Sequence, residues 1–388
     1  VTLTNMPNLV ATRFLSQLLD TLAVEVYWPK GDNECRLNAE TLKSTIAPYE
    51  QVRKMRASFN VLGPMLARYG HATVPLPGGC AIGARPVDLH LKAFEAMGAD
   101  LLVEQGYVKA AAIHGLKGAQ IVFPFVSVGA TEHAMLAATL ARGETVLENA
   151  AREPEIADLA NCLNSMGAKV SGAGTSTITI EGVESLHGTE HKVMSDRIEA
   201  GTFAMAVAAA GGDVTLTNAP VAAMSAINHA LRNAWVEVEA DKEAGPVRIQ
   251  RGDTELIPVN VDTAPYPGFP TDLQAQFMAL MSIAKGTSVI RENIFENRFM
   301  HAPELSRLGA NIAVRGSEAI VTGVKALKGA PVMATDLRAS VSLVIAALAA
   351  QGETEVSRIY HLDRGFERLE EKLRAVGADV RRLSDEDE

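Results

Sequence analysis

The chain has 388 residues, 47% of them apolar and 21% charged, and a net charge of −10. That is apolar material for two or three cores, an unsuitable balance for a general nucleic-acid surface, and no membrane span, because the longest apolar run, VSLVIAALAA at 341–350, is too short. Three cysteines without paired spacing and a start, VTLTNMPNLV, without basic and apolar leader regions point to a soluble cytoplasmic protein in a reducing compartment.

In chain order, one phrase recurs: the end of a helix, small residues, then a strand. It reads TLAVEV (21–26), AMGADLLV (96–103), SMGAKVSG (165–172), NAWVEVEA (233–240), RLGANIAV (307–314) and AVGADVRR (375–382). Anchored on Leu22, Met97, Met166, Ala234, Leu308 and Val376, copies three apart are separated by 212, 211 and 210 residues. Six copies in two sets of three predict two similar α/β domains, 1–194 and 195–388, rather than a solenoid.

A second phrase precedes each copy: an apolar helix, a glycine, a β-rich strand. It appears as VLGPMLARYGHATVPL, MLAATLARGETVLE, FAMAVAAAGGDVTLT, FMALMSIAKGTSVIR and SLVIAALAAQGETEVS. Glycine suits a helix C-terminus, and the following Val, Thr and Ile favour a strand. FAMAVAAA and LVIAALAA are apolar on every face, so these helices belong inside a core. VTLTNMP at the start matches VTLTNAP at 214–220, so a sixth copy is expected before Val1.

Each inner helix is introduced by a polar stretch: EQVRKMRAS (50–58), FVSVGATEH (125–133), MSDRIEAGT (194–202), GFPTDLQAQ (268–276) and ATDLRASVS (334–342). Helix N-termini suit anions, and if three from each domain face one cleft, an anionic ligand would lie between the domains. Asp272, Asp196 and Asp336 stand at these starts, each readable as an N-cap or as a general base. Arg56, Arg85, Arg197, Arg298, Arg338 and Arg364 recur near the same turns, with forks suited to phosphate or carboxylate.

Cys80, within LPGGCAIGARPVDLH (76–90), is either a small buried hydrophobe or a loop thiol made more acidic by Arg85. Cys162 fits a helix core, and Cys35 a loop. HGTEH (187–191) has the HxxEH spacing of a zinc site, but its glycine and the strand-like ITIEG before it predict a loop. GAGTST (172–177) runs into a strand rather than a helix, and RGD (251–253) reads as a turn.

These blocks, with ENAAREPEI (148–156), DRIEAGTF (196–203), FPTDLQAQF (269–277), FENRFMH (295–301), MATDLRAS (333–340) and IYHLDRG (359–365), give the chain a resemblance along nearly its whole length. It resembles the UDP-N-acetylglucosamine 1-carboxyvinyltransferases, the enolpyruvyl transferases of peptidoglycan synthesis. The resemblance implies two inverted α/β barrel domains of three repeats each, with the active site in the interdomain cleft. It implies transfer of the enolpyruvyl group of phosphoenolpyruvate to the 3′-hydroxyl of UDP-N-acetylglucosamine, with phosphate released and neither metal nor organic cofactor. Asp272 would take the hydroxyl proton. Cys80 would be the acid of a mobile glycine-rich lid and the target of fosfomycin. Arg85, Arg338 and Arg364 would hold phosphoenolpyruvate, with Asp336 beside its methylene. Pro86, Val87, Asp88, Leu89, Ser127, Val128, Gly129, Ile294 and Phe295 would line the UDP-sugar site, and Arg56 and Arg298 would support the anionic region.

Two positions depart from the family pattern. Its Lys–Asn pair, in a segment like SGAKNAALP, would fall in the copy expected before Val1. Phe125 stands where a family lysine contacts the nucleotide. The competing readings are a UDP-sugar-binding paralogue without turnover and the sister 5-enolpyruvylshikimate-3-phosphate synthase, which lacks the cysteine loop.

Overall fold

A computed structural model describes residues 1–78, 86–241 and 245–383. They fall into two compact units, one within 1–194 and one within 195–383. Each is an α/β arrangement of small sheets and apolar helices, with its own core. None of the described helices is long and apolar enough to cross a membrane.

The six-fold phrase is a structural repeat. In every copy the helix closes with the same backbone bond. The N–H of Val24, Ala99, Ala168, Val236, Ala310 or Ala378 reaches back to the carbonyl of Leu19, Phe94, Leu163, Leu231, Leu305 or Leu373 at 2.9–3.2 Å. The residue before that N–H takes a left-handed conformation in all six, the geometry of a Schellman cap. Glycine provides it at Gly98, Gly167, Gly309 and Gly377, whereas Ala23 (φ 70°) and Trp235 (φ 66°) adopt it against the steric preference of an L-residue. Five copies then continue into strands, Glu25–Tyr27, Asp100–Glu104, Lys169–Ser171, Glu237–Ala240 and Asn311–Arg315. The sixth does not: after the helix Leu369–Ala375 no strand follows among the described residues.

The first unit holds sheets of three and four strands. VTLT forms the strand Thr2–Thr4, parallel to Glu190–Lys192 and antiparallel to Cys35–Asn38. Cys35 is therefore a buried strand residue, not the loop residue its polar neighbours suggested. Cys162, on the helix Pro154–Ser165, is only half-buried. Gly172–Thr177 is the tight link between the strands Lys169–Ser171 and Thr177–Glu181. HGTEH runs from a loop into Glu190–Lys192, where His191 meets Asp158 at 3.2 Å, and no group of metal-ligating side chains gathers there among the described residues. RGD ends the strand Val247–Arg251 and turns.

The all-apolar segments are inner helices. In the second unit Arg197–Ala210, Gln274–Met281 and Leu337–Ala349 pack against one another. All eight residues of Gln274–Met281 are buried, as are Ala204 to Ala209 of the first of these helices. Full burial of one large side chain such as Phe277 contributes about 1.5–3 kcal/mol. Small residues let the helices approach: a Cβ on Gly201 would lie 2.6 Å from the Leu273 side chain, so the glycine fixes where the turn before Gln274 can sit. In the first unit the inner helices Leu62–Tyr69 and Val128–Ala138 pack together.

Candidate active site

The starts of the inner helices carry the polar chemistry. Asp196 and Asp336 are N-caps. Asp196 accepts from the amides of Ile198 and Glu199 at 2.7 and 3.1 Å, and Asp336 from those of Arg338 and Ala339 at 2.9 and 3.0 Å. Ser127 caps Val128–Ala138 by accepting from Ala130 N at 3.3 Å. Each satisfies amides that the helix leaves unpaired.

Asp272 does something else. It lies within a 3-10 turn, Thr271–Leu273, that precedes Gln274–Met281, and it makes no cap. Its carboxylate takes Arg298 Nη2 on Oδ1 at 2.7 Å and Arg338 Nη2 on Oδ2 at 3.2 Å. Desolvation pushes its pKa upward, but the Arg338 and Arg298 charges outweigh it and hold the carboxyl well below the usual carboxylate range. The Asp272 side chain stays 38% exposed, whereas those of Arg298 and Arg338 are 6% and 17% exposed. Arg338 Nη1 is buried and has no hydrogen-bond partner among the described residues, so the site keeps an unused guanidinium donor beside its carboxylate. Arg338 also lies over the Phe366 ring, and Arg298 over Phe295. Arg364 ends the turn Ile359–Arg364, which packs on Leu337–Ala349. His301 is buried against Arg298, and burial, then that charge, lower its pKa to about 3.

Behind Asp272 lies a group that the sequence reading passed over. Glu292 is 3% exposed and receives Thr263 Oγ1 at 3.0 Å, Thr271 Oγ1 at 2.9 Å, Ile294 N at 2.9 Å and Phe295 N at 3.2 Å. A lone acid after the strand Thr287–Arg291 carries no motif, and nothing local distinguishes it from a surface glutamate.

In the first unit, Ser127, Val128 and Gly129 form the start of an inner helix. Arg56 Nη2 donates to the Pro86 carbonyl at 3.1 Å. Val87 and Leu89 are buried, and Asp88 opens the exposed face of the helix Asp88–Ala96, with Lys92 at 3.8 Å. The buried His90 and His133 meet Nδ1 to Nδ1 at 2.9 Å, and Gly63 N donates to His133 Nε2 at 2.7 Å. His133 is therefore the Nδ1–H tautomer when neutral, donating to His90. A Cβ on Gly129 would lie 3.3 Å from the His90 ring, so this pair ties Asp88–Ala96 to both inner helices. Glu132 sits one turn into its helix with Asn60 at 3.4 Å. Burial, together with Glu155 and Glu153, raises its pKa to about 7. Phe125 is 59% exposed. Cys80 and Arg85 lie outside the described residues.

Within the second unit, then, Asp272, Arg298 and Arg338 meet directly, and Glu292 joins them to Ile294 and Phe295. Within the first, Arg56 meets Pro86, and the histidine pair links the Asp88–Ala96 helix to Gly129. Arg197, by contrast, is buried with its guanidinium 5.6 Å from the Tyr266 ring.

The two-unit α/β fold is that of the enolpyruvyl transferases. The family model of EPSP synthase (3-phosphoshikimate 1-carboxyvinyltransferase) matches residues 1–373. The enolpyruvyl transferase NikO from Streptomyces tendae superposes with a TM-score of 0.84 at 26% identity, over 98% of this chain and 89% of that one. An EPSP synthase from Acinetobacter baumannii shares the fold, with a TM-score of 0.74 at 20% identity, over 97% of this chain and 90% of that one. A UDP-N-acetylglucosamine 1-carboxyvinyltransferase from Hyphomonas neptunium is 75% identical over 99% of this chain and 90% of its own length. Another, from Maricaulis maris, is 64% identical over 99% and 90%. The chain belongs to the enolpyruvyl transferase family and, within it, to the UDP-N-acetylglucosamine 1-carboxyvinyltransferases.

Proposed function

We propose that this protein transfers the enolpyruvyl group of phosphoenolpyruvate to the 3′-hydroxyl of UDP-N-acetylglucosamine and releases phosphate, in the cytoplasm, as the committing step of peptidoglycan synthesis. The observation that carries this reading is Asp272, kept ionised and partly open to solvent between Arg298 and Arg338. An anionic substrate and a hydroxyl nucleophile need such a set: guanidiniums for phosphate and carboxylate, and a carboxylate to take the hydroxyl proton.

The sugar oxygen bonds to C2 of phosphoenolpyruvate as its proton passes to Asp272, and C3 takes a proton to become a methyl group. Loss of that C3 proton and cleavage of the C2–O–phosphate bond then give the enol ether and phosphate. Cys80 serves as the acid and Asp336 flanks the methylene. Arg85, Arg338 and Arg364 hold the phosphate and carboxylate. Pro86, Val87, Asp88, Leu89, Ser127, Val128, Gly129, Ile294 and Phe295 receive the UDP-sugar, supported by Arg56 and Arg298.

A carboxylate held far below its usual range is a weak base. Phosphoenolpyruvate corrects this by drawing on Arg338. The share of positive charge that it takes is removed from Asp272, whose basicity rises when the substrate is in place. The test is direct. Purified protein with both substrates should release phosphate in step with a product one enolpyruvyl heavier than UDP-N-acetylglucosamine, read by mass spectrometry. Phosphate release with shikimate 3-phosphate instead would move the assignment to the sister enzyme. UDP-sugar binding without turnover would favour the binding paralogue.

A further inference from the structure

We propose that Glu292 is a positioning residue that makes the Asp272 turn and the Ile294–Phe295 turn move as one piece. The inference rests on the reading above, in which Asp272 is the base and Ile294 and Phe295 face the sugar nucleotide.

Glu292 is almost wholly buried, at 3% exposure, and its carboxylate is bound from two sides. Oε1 takes the backbone amides of Ile294 and Phe295 and the Thr263 hydroxyl, at 2.9, 3.2 and 3.0 Å. Oε2 takes the hydroxyl of Thr271, the residue before Asp272, at 2.9 Å. Thr263 is itself fixed, since its hydroxyl accepts Asn293 N at 2.9 Å and its backbone N–H reaches Arg291 O at 2.9 Å. An ionised carboxylate is an acceptor only, so four donors match it and no other side chain of that length. Charge-assisted bonds are the stronger kind, and a buried carboxylate that lost them would be costly. Asp272 is thus held in two ways: Arg298 and Arg338 grip its side chain, and Glu292 grips its backbone turn through Thr271. Arg298 also reaches Phe295, lying over its ring, but Glu292 is the group that takes the backbone amides of the turn carrying Ile294 and Phe295.

The arms separate chemically. Thr271→Val removes the Asp272 arm and leaves the three donors on Oε1. Glu292→Gln keeps both arms: its carbonyl oxygen can serve the crowded side, and its amide N–H can donate to the Thr271 hydroxyl, which accepts as well as donates. Misplacing a reacting group by about 1 Å costs about 100-fold. Thr271→Val should therefore lower kcat by about 10- to 100-fold, with KM for both substrates within about twofold of the parent, whereas Glu292→Gln, with the arm reversed rather than cut, should stay within about threefold of it. The double variant should fall no more than about twofold below Thr271→Val, because the bond that Glu292→Gln reverses is already absent there.

Titration calorimetry with UDP-N-acetylglucosamine supplies the second readout. Site occupancy should stay at one sugar nucleotide per chain in Thr271→Val. A merely structural role would instead lower occupancy and kcat together. The inference is overturned if Thr271→Val keeps kcat within about twofold, or if kcat falls only in proportion to occupancy. Should Glu292→Gln fail to fold, Thr271→Val decides by the same criteria. A parent protein without enolpyruvyl transfer overturns the underlying reading, and this inference with it, and is recognised before any variant is made.

Discussion

Asp272 and Glu132 both sit at the beginning of an inner helix, one in each unit, and their surroundings drive their carboxyls in opposite directions. Asp272 has two guanidiniums within hydrogen-bond distance and stays an anion. Glu132 is enclosed with Asn60, Glu153 and Glu155 around it, and its pKa rises to about 7. Standing near the start of an inner helix does not set the charge state. The partner arriving from distant sequence does, because burial favours the neutral acid unless a cation repays the lost hydration.

The sharpest way to break the comparison is to remove the charge at Asp272. Asp272→Asn should lower kcat by about 10²–10⁴-fold, the range for loss of a general base. It should leave UDP-sugar binding measurable by calorimetry. Turnover near the parent rate would reject the base assignment.

Asp336 tests whether a cap can also be chemical. Asp336→Ala should cost about 1 kcal/mol of stability by urea unfolding, since the amides of Arg338 and Ala339 lose their acceptor. Asp336→Ser should restore most of that stability and none of the turnover, because serine caps a helix but carries no charge. Recovery of both would leave Asp336 a cap alone.

Glu132 supplies the opposite arm. Its folded pKa of about 7 lies above the ordinary 4.5. The stability it contributes is complete below the ordinary value and is lost as pH rises through about 7, where the unfolded chain has already released the proton. Glu132→Gln cannot ionise, so at pH 8 it should be more stable than the parent by about 1–2 kcal/mol, and at pH 4 equal to it. Equal differences at both pH values would show that Glu132 titrates normally.

The smallest expected effect concerns the repeat. Ala23→Gly relieves a left-handed alanine at a cap that four other copies fill with glycine. Relief of that strain is worth about 1 kcal/mol, and the entropy of a freer unfolded chain offsets part of it. A net gain of about 0.5 kcal/mol is expected in urea unfolding. Destabilisation would mean that the Ala23 methyl makes contacts worth more than the strain.

Much of the fold was legible because it is local. Helix ends, the strands after them and the apolar inner helices depend on neighbours a few residues apart, and composition alone marks FAMAVAAA and LVIAALAA as core. The Asp196 and Asp336 caps were legible too, as one of two readings that the sequence left open. The exceptions have physical causes. Cys35 looked like a loop residue because its neighbours are polar, but pairing with Thr2–Thr4 places it in a buried strand. AVGADVRR looked like the other five copies, yet its helix is not followed by a strand among the described residues.

The period, the caps and the loop motifs that carry the resemblance are thus properties of the sequence alone. Which polar groups face one another is set by the tertiary fold. Arg298 and Arg338 reach Asp272 from 26 and 66 residues away, and Glu292 gathers donors from as far as Thr263, 29 residues back. No periodicity announces such contacts. A carboxylate's hydrogen-bond partners and charge state follow from the groups that folding brings within about 3–4 Å and from the water it removes, and neither is a property of local sequence.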